Sequence, residues 1–571
     1  MTRFTVSQAR SWRPEPHIGI ADGWDRTAGA LQDHADAVDA AVSAGGDSWR
    51  GAASQAAAGA VAPTTAGLRH LCRVLVLAAA EARDAAASVG GARDHVLAVL
   101  AVAADEGCPV TEDGTVGAPA RPSGLLVALA GGAQSAAQGL LDVRARELTR
   151  QVQDALGRLS DTEAEAGRAI DAAFDPITAQ PGAVRPAGVS DATAQVATWP
   201  TSSQDRIAAG IAALSAAERQ RLVEEHPGPV GNTDGIPWPM RIEANRINIA
   251  NAILDEQRVL DRPVDEKLRG AVPPTLVPAG AERMWAALHA DPAMRAAAIA
   301  THDRRARQRI AFYRGLLAEV PDPVDRDRRV PRQILAFDPE RASLVELCGD
   351  LGRARALGIL VPGLNTTFEG SADDVATVRR FVAGSGGEVA MISYLGGRFP
   401  TGELAAGLVD AIDPRYALAM APRLVAFSED VERTVGDRPV TYIGHSYGGS
   451  ILGTAERFGL TADRVVYAEA AGAGVGVHAP ADWHNRNPAV LRFSMTAPGD
   501  LIGLVQGIPT GPHGADPDRM PGVIPLATGR RLTGWPMIGP STHGDVLNEP
   551  SDAWRNILAV IAGDRANIRT G

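Results

Sequence analysis

The sequence predicts an α-helical N-terminal domain followed by an α/β domain with a mostly parallel sheet and helices on both faces. The first half is rich in alanine and the whole chain has only 4% aromatic residues, which favours close-packed helices over sheet. From about Gln333, short apolar runs alternate with segments of helical periodicity, the pattern of a parallel sheet. At 571 residues the chain is too long for one ordinary core, so two or three domains are expected.

Long helices are predicted for residues 1–175, the first domain. An apolar stripe over residues 18–44 predicts the first helix, which we expect to end at the Gly45-Gly46 pair. The helix that follows should be interrupted at Pro63 and again at the Gly90-Gly91 pair, because both residue types disfavour a helix interior.

A Trp-x-Gly tripeptide, Trp49-Arg50-Gly51, lies between these two helices. In this place it resembles the turn of the helical-hairpin proteins of type VII secretion. The resemblance implies an antiparallel hairpin that docks with a partner hairpin protein. The alternative is an ordinary helical turn with Trp49 in the core. Exported members carry a Tyr-x-x-x-Asp/Glu signal after the hairpin, whereas residues 1–312 contain no tyrosine.

The middle of the chain is predicted to contain a linker and a second helical segment. Residues 176–200 are rich in Pro, Gly, Ala, Ser and Thr and predict the linker. Residues 201–330 are mostly helical, apart from residues 226–237, which are too dense in Pro and Gly for a helix. We expect this segment to pack on the α/β domain, residues 331–571.

Six apolar runs of strand length predict the sheet. They lie at residues 334–337, 356–361, 389–394, 440–443, 465–468 and 490–495. Because helix-like segments separate them, the strands should be parallel and covered on both faces.

The fourth of these runs leads into a Gly-x-Ser-x-Gly turn. Gly444-His445-Ser446-Tyr447-Gly448 follows β-branched and aromatic residues and precedes apolar residues at helical spacing. Strand, tight turn and helix are the context of a nucleophile elbow, in which glycines allow the two backbones to approach closely. Ser446 is therefore predicted to be a nucleophile; a glycine-rich turn with a chance serine is the alternative.

The second half resembles an actinobacterial α/β-hydrolase family long catalogued only as a domain of unknown function. The resemblance covers roughly residues 200–560 and rests on these stretches: 227–237, Arg241 with 244–246, 360–366, 444–449, 514–517 and the segment around His543. It implies an α/β-hydrolase fold and a serine triad, and family members often carry an N-terminal helical region. It implies no agreed substrate.

A serine nucleophile needs a base and an acid, which follow it along the chain in this fold. Asp500 lies just past the run at residues 490–495, at the sheet edge that carries the elbow, and is the predicted acid; Glu469 is the alternative. His543, in a loop before the closing helix, occupies the place of the triad histidine and is the predicted base, with His513 as its competitor.

The oxyanion hole is predicted from two backbone N–H groups. One is that of Tyr447, the residue after the nucleophile. The other comes from the loop after the run at 356–361, where Gly363 lets the backbone approach and Leu364 is the chosen donor. The choice between Leu364 and Asn365 stays open. Each donor is typically worth about 3 kcal/mol of barrier.

Composition excludes several other function classes. The net charge of −11 argues against nucleic-acid binding, and Lys267, the only lysine, cannot belong to a Walker A loop. Cys72, Cys108 and Cys348 are scattered and form no zinc or disulfide pattern. We therefore expect no metal and no organic cofactor.

The function predicted is that of a serine hydrolase acting on a small-molecule or lipid ester through an acyl-enzyme. Ester is preferred to amide by analogy with the fold. The alternative is a type VII secretion-associated interaction protein whose hydrolase domain is a non-catalytic scaffold. The N-terminus lacks a signal peptide and no run is long enough to span a membrane, which predicts a cytoplasmic protein unless the hairpin directs export.

Overall fold

A computed structural model describes residues 4–48, 52–130, 133–178, 191–271, 278–401, 413–500, 502–506, 511–548 and 550–571. The chain divides into two compact units. The helical unit contains residues 1–187 and 250–318, and the sheet unit contains residues 188–249 and 319–571.

Most of the described chain before the sheet is helical. In chain order they are α1 Val6–Ser11, α2 Glu15–Ser48, α3 Ala52–Asp105, α4 Gly124–Leu129, α5 Gln134–Thr178, α6 Asp191–Thr198, α7 Gln204–Ala212, α8 Ala216–Glu225, α9 Pro227–Asn232, α10 Trp238–Asp261, α11 Val264–Ala271, α12 Pro278–Ala290 and α13 Pro292–Leu317.

Small apolar side chains hold the long helices of the helical unit together. Ala21 of α2 packs with Ala79 and Ala82 of α3, and such small residues let helix backbones approach closely. Further along α3, the apolar face of α5 buries Leu148 and Leu156 completely. The alanine-rich composition thus allows the helices to pack closely.

One predicted helix end and two predicted interruptions are wrong. α2 continues through the Gly45-Gly46 pair to Ser48, and α3 is unbroken through Pro63 and the Gly90-Gly91 pair. A helical glycine costs about 1 kcal/mol and an interior proline about 3 kcal/mol, and the packing of α3 on α2 and α5 offsets these costs. Residues 49–51, the Trp-x-Gly tripeptide, lie outside the described residues.

The stretch Gly59–Asp105 within α3 is the part of the described chain that is long and apolar enough to cross a membrane. Length and composition are weak evidence for a span, because the core helix of a soluble protein passes the same test. Within this stretch Cys72 and Val96 are fully buried.

The predicted middle segment, residues 201–330, does not stay in one unit. Its residues up to 249 group with the sheet and residues 250–318 group with the helices. Polar contacts follow the same division: Asn232 exchanges two hydrogen bonds with the backbone of Phe337 in the sheet unit, whereas Arg309 pairs with Glu256 at 2.6 Å in the helical unit.

Two local predictions in this middle region also differ from the structure. Residues 227–232 form α9 despite their proline and glycine content, because proline is tolerated at the first helical position. Of the predicted linker, residues 179–190 lie outside the described residues, residues 191–198 form α6, and Trp199 is buried.

The sheet unit contains a small ribbon and an eight-stranded sheet. Its strands are β1 Val320–Pro321, β2 Arg329–Val330, β3 Gln333–Asp338, β4 Ser343–Cys348, β5 Ala356–Val361, β6 Val389–Leu395, β7 Val440–His445, β8 Arg464–Ala468, β9 Leu491–Met495 and β10 Val523–Pro525. The helices of this half are α14 Ala372–Gly384, α15 Arg415–Val435, α16 Tyr447–Arg457, α17 Ile502–Gln506, α18 Thr542–Asn548 and α19 Asp552–Ala562.

The strand order of the large sheet is β10-β9-β8-β7-β5-β6-β4-β3. The strands from β10 to β6 are parallel to one another, while β4 is antiparallel to both β6 and β3. All six predicted runs are strands; β4 and β10 were not predicted. The mostly parallel sheet is confirmed.

Helices cover both faces of this sheet. On one face Phe381 of α14 stacks on Trp554 of α19, and both belong to a core that includes Leu360 and Ile443 of the central strands. On the other face Tyr467 of β8 donates a hydrogen bond to Glu456 of α16 at 2.8 Å.

The polar residues that carry part of the family resemblance anchor the sheet edge. Arg241 is 2% exposed, and its guanidinium pairs with Asp234 and Asp430 at 2.9 Å each and donates to the Leu335 carbonyl at 2.8 Å. Trp238 donates to the same Asp430 carboxylate at 2.9 Å. These side chains tie α10 to β3 and α15, so their role in this structure is architectural.

Candidate active site

Ser446 occupies the sharp turn between β7 and α16. Its backbone has φ 54° and ψ −123°, a combination that costs a non-glycine residue conformational energy. The turn is held in place by hydrogen bonds from the Ser446 N–H to Ala468 at 3.1 Å and from the Ala471 N–H to the Ser446 carbonyl at 2.9 Å. The strained serine lies at the carboxyl end of the central strands, where α/β folds place their sites.

The glycines of the turn are required by close backbone contact. A Cβ on Gly444 would lie 2.7 Å from the Gly448 carbonyl oxygen, and one on Gly448 would collide with the Val361 carbonyl. α16 therefore approaches β5 and β7 as closely as backbone permits. The predicted steric reason for Gly-x-Ser-x-Gly applies to both of its glycines.

The loop after β5 lies directly against the serine. A Cβ on Gly363 would be 2.6 Å from the Ser446 Cβ and 3.1 Å from its Oγ. The next N–H, that of Leu364, has no acceptor in the described part of the chain, whereas the Asn365 N–H donates to the Pro400 carbonyl at 3.0 Å. Of the two residues that the sequence left open, Leu364 has the available donor.

The backbone and the side chain of Tyr447 have different roles. As the first residue of α16, it has an N–H without an intrahelical acceptor, at the positive end of the helix dipole. Its buried hydroxyl donates to the Asp413 carbonyl at 2.5 Å and accepts from the Ala417 N–H at 3.3 Å. Burial raises the pKa of the Tyr447 phenol well above its ordinary value, so the side chain is a neutral structural anchor.

Asp500 and His543 come together although 43 residues separate them. The His543 Nδ1 lies 3.0 Å from the Asp500 Oδ2, and the other carboxylate oxygen accepts the Ile502 N–H at 2.8 Å. Burial opposes ionisation, but the hydrogen bonds from His543 and Ile502 lower the pKa of Asp500 below its ordinary value. A charged Asp500 can therefore hold the imidazole with its proton on Nδ1.

Glu469, the alternative acid, lies beside Asp500 rather than replacing it. It follows β8 with a φ of 46°, is fully buried, and accepts the Ala497 N–H at 3.0 Å through Oε1. Burial, assisted by the negative charge of Asp500, raises the pKa of Glu469 to about 9. At neutral pH it is a carboxylic acid next to a carboxylate.

His445, which precedes the nucleophile in the sequence, contacts the predicted base. Its Nε2 lies 2.6 Å from the carbonyl oxygen of His543, with the two ring centroids 4.9 Å apart. Burial lowers the pKa of His445 to about 4, so a neutral imidazole donates this bond. No motif in the sequence pairs these two histidines; only the sheet and α18 bring them together.

His513, the alternative base, contacts a different part of α16. It is 2% exposed, and its Nδ1 is 2.8 Å from the Ser450 Oγ, one helical turn beyond Ser446. Its ring meets the Tyr447 ring edge-on at 5.2 Å. The structure thus brings Asp500 to His543, and His513 to a different serine.

A second perturbed carboxyl, which the sequence did not reveal, borders the oxyanion loop. Asp374 in α14 accepts a hydrogen bond from Thr366, and burial followed by the charge of Asp373 raises its pKa to about 7. Its protonation state changes near neutral pH, and its hydrogen-bond donor Thr366 lies two residues from Leu364.

Glu469, Asp500 and His543 also place one ligand atom each within 4.8 Å of the others. Such a cluster of oxygen and nitrogen atoms is small enough to hold a cation. Among the described residues, however, the same atoms are engaged in the Asp500–His543 hydrogen bond and the Glu469–Asp500 acid pair. The geometry needs no ion to account for it.

Two family models match separate parts of the chain. Residues 338–508, which include Ser446 and Asp500, match the family model described as Alpha/beta hydrolase. Residues 8–108 match the PPE family, a helical family associated with type VII secretion in mycobacteria.

Two curated relatives are uncharacterized proteins of Mycobacterium tuberculosis, one from strain CDC 1551 and one from strain H37Rv. Each is 26% identical over 402 residues, which cover 61% of this chain and 54% of the relative. The chain thus spans about half the length of the curated relatives it matches. No solved structure matches it.

Both resemblances predicted from the sequence are therefore confirmed. The chain contains an α/β hydrolase domain in its C-terminal half, preceded by a helical region that matches the type VII-associated PPE family.

Proposed function

We propose that the chain is a serine hydrolase of carboxylic esters, with Ser446 as nucleophile, His543 as base and Asp500 as the acid that orients it. The observation that carries the proposal is the 3.0 Å contact between His543 Nδ1 and Asp500 Oδ2 at the sheet edge where Ser446 occupies a strained strand–helix turn. This combination is the arrangement that activates a serine in this fold.

Each group then has a defined step. His543 accepts the Ser446 proton at Nε2 while Oγ attacks the ester carbonyl, and the N–H groups of Leu364 and Tyr447 stabilise the developing oxyanion. The imidazolium returns the proton to the departing alcohol, leaving an acyl-Ser446. Water, deprotonated by His543, then releases the acid and regenerates the serine.

Glu469 acts in this proposal through Asp500. A protonated Glu469 donates a hydrogen bond to Asp500, while the Ala497 N–H holds its other oxygen. The proton prevents repulsion between two buried carboxylates. Glu469 is therefore a positioning residue for the acid, and Asp500 alone carries the charge that stabilises the imidazolium.

The substrate class and the catalytic domain are part of the same proposal. Ester is preferred to amide by analogy with the fold, and the mechanism uses only the chain's own groups. The catalytic domain corresponds to the sheet unit, residues 188–249 and 319–571, which begins earlier than residue 331 because α9 and α10 are anchored to β3.

A fluorophosphonate probe tests whether Ser446 is activated. The wild-type chain should be labelled at Ser446, and Ser446→Ala should abolish both labelling and hydrolysis of p-nitrophenyl butyrate. Ser450→Ala is the matched control: it removes a buried hydroxyl from the same helix and should keep labelling. Labelling of a folded Ser446→Ala variant would contradict the assignment.

A second candidate function is a type VII secretion-associated interaction protein whose hydrolase domain is a non-catalytic scaffold. The match of residues 8–108 to the PPE family favours it, since that region would pair with a helical partner. The probe separates the two functions, because a scaffold has no activated serine. A cytoplasmic location remains a prediction, and the same match supports the alternative of export.

A further inference from the structure

A hairpin in the sheet unit carries the most exposed apolar side chains of the described residues. Trp535 is 74% exposed, Leu532 64% and Ile538 58%, while the next, Val143 in the helical unit, is 56% exposed. The first three lie within seven residues of one another. Scattered exposed apolar residues are ordinary, but a contiguous group indicates an interaction surface.

This 530–538 hairpin is anchored rather than loose. Arg530 pairs with Pro536 in an antiparallel bridge, and Met537, pointing inward, is 1% exposed within the core of the sheet unit. Arg531 forms an ion pair with Asp545 and donates to the Ser541 hydroxyl at 3.0 Å. The apolar tip of the hairpin (Leu532, Trp535 and Ile538) is therefore held by a base that is fixed to the rest of the sheet unit.

The base of the hairpin is hydrogen-bonded to the loop that carries Asp500 of the candidate site. The Gly539 N–H donates to the Pro498 carbonyl at 2.9 Å, two residues before Asp500, and a Cβ on Gly499 would meet the Gly539 backbone at 3.3 Å. Four residues further on is His543. A surface bound by the tip would lie next to the catalytic groups.

The charge around the 530–538 hairpin indicates which kind of surface it could bind. Residues 519–544 contain three arginines and no acidic residue, in a chain whose net charge is −11. Arg519 and Arg531 are paired with Asp516 and Asp545, which flank this stretch, whereas Arg530 donates to the Gly534 carbonyl at 2.9 Å and has no ion-pair partner among the described residues. Tryptophan with leucine and isoleucine, beside arginine, is the composition that lies at the boundary between lipid headgroups and acyl chains. Anionic headgroups would complement Arg530.

We propose that the 530–538 hairpin docks on an anionic lipid surface and that the ester hydrolysed at Ser446 is an acyl ester carried by that surface. The second part rests on the proposed function; the docking does not. The tip places Trp535, Leu532 and Ile538 among the acyl chains and keeps Arg530 at headgroup level, which brings the site to its substrate.

A fluorophore at the tip tests the docking directly. All three native cysteines are buried, so Thr533→Cys provides a selective site for an environment-sensitive nitrobenzoxadiazole label. With phosphatidylglycerol vesicles the label should brighten and shift to the blue. The matched control is Arg355→Cys, at a side chain 81% exposed before the amino end of β5, at the opposite sheet edge; its label should not respond.

Substitution at the tip tests the link to substrate. The triple variant Leu532→Ser, Trp535→Ser, Ile538→Ser should hydrolyse a vesicle-borne acyl ester at least about tenfold more slowly, yet turn over soluble p-nitrophenyl butyrate at the wild-type rate. Phe458→Ser removes a 43% exposed apolar side chain elsewhere in the sheet unit and should change neither rate.

The outcomes are separable. A label at residue 533 that ignores phosphatidylglycerol vesicles overturns the docking, and leaves a protein partner for the tip. An equal response to phosphatidylcholine vesicles overturns the role of anionic headgroups. If the label responds but no ester of either kind is cleaved, the docking stands and the hydrolase proposal fails.

Discussion

The two units place their ionisable groups in different surroundings. In the helical unit, two carboxyl groups with lowered pKa values belong to surface ion pairs: Arg69 accounts for the lowered pKa of Asp36, against the effect of burial, and Arg144 for that of Glu106. In the sheet unit, burial raises the pKa of Glu469 to about 9 and lowers that of His445 to about 4. Buried titratable groups with strongly shifted pKa values are costly to stability and are concentrated where chemistry is performed. The contrast supports the proposal that the chemistry belongs to the sheet unit and that the helical unit serves packing.

The largest expected effect separates two histidines within the sheet unit. His543→Ala should lower kcat by about 10³-fold or more, because the Ser446 proton then has no acceptor. His513→Ala removes only a contact to Ser450 and should lower kcat far less. Steady-state rates on p-nitrophenyl butyrate with matched circular dichroism decide between them; the reverse ranking would move the base to His513.

A smaller loss is expected from the oxyanion loop. Gly363→Ala places a methyl group 2.6 Å from the Ser446 Cβ, which displaces the Leu364 N–H from the developing oxyanion. Loss of one donor should reduce kcat by about 10²–10³-fold with little change in KM. Unchanged kcat in the folded variant would exclude this loop from the oxyanion hole.

Glu469 should show an effect that depends on its hydrogen bond and not on its charge. Glu469→Ala should reduce kcat by about tenfold or more, because Asp500 loses its donor, whereas Glu469→Gln should retain most activity through its amide N–H. Equal losses in both variants would indicate a packing role only.

From the raised pKa of Glu469 we also expect the free energy of unfolding to depend on pH. Glu469 keeps its proton in the folded chain up to about pH 9, while the unfolded chain loses it near 4.5. Unfolding therefore releases a proton in that window, and the free energy of unfolding falls as pH rises. Glu469→Gln lacks this proton, so its urea-unfolding free energy should fall less between those pH values than that of the wild type.

The smallest effect is expected in the helical unit. Gly139 lies in α5, where a Cβ added to it would meet no neighbouring atom within 4 Å, so Gly139→Ala should raise the free energy of unfolding by about 0.5–1 kcal/mol. Catalytic rates should stay at the wild-type level. A change in kcat would break the separation of packing and chemistry between the two units.

Local chemistry was sufficient for the sequence to reveal the nucleophile turn. Strand, Gly-x-Ser-x-Gly and helix are contiguous, and their steric requirement concerns neighbouring residues such as Gly444 and Gly448. Buried parallel strands also leave continuous apolar runs, which is why β5 was predicted with its observed ends. By contrast β10, only three residues long, leaves too short a run to recognise.

For distant side chains, tertiary structure decided between the alternatives that the sequence left open. Asp500 reaches His543 rather than His513 because the strand order places β9 beside β8 and α18 above the same sheet edge. Protonation of Glu469 follows from its burial next to Asp500, and the division at residue 249 follows from which side chains of α10 find partners in the sheet. Residue types and spacing specify short-range geometry, whereas burial and pairing across hundreds of residues depend on how the elements pack.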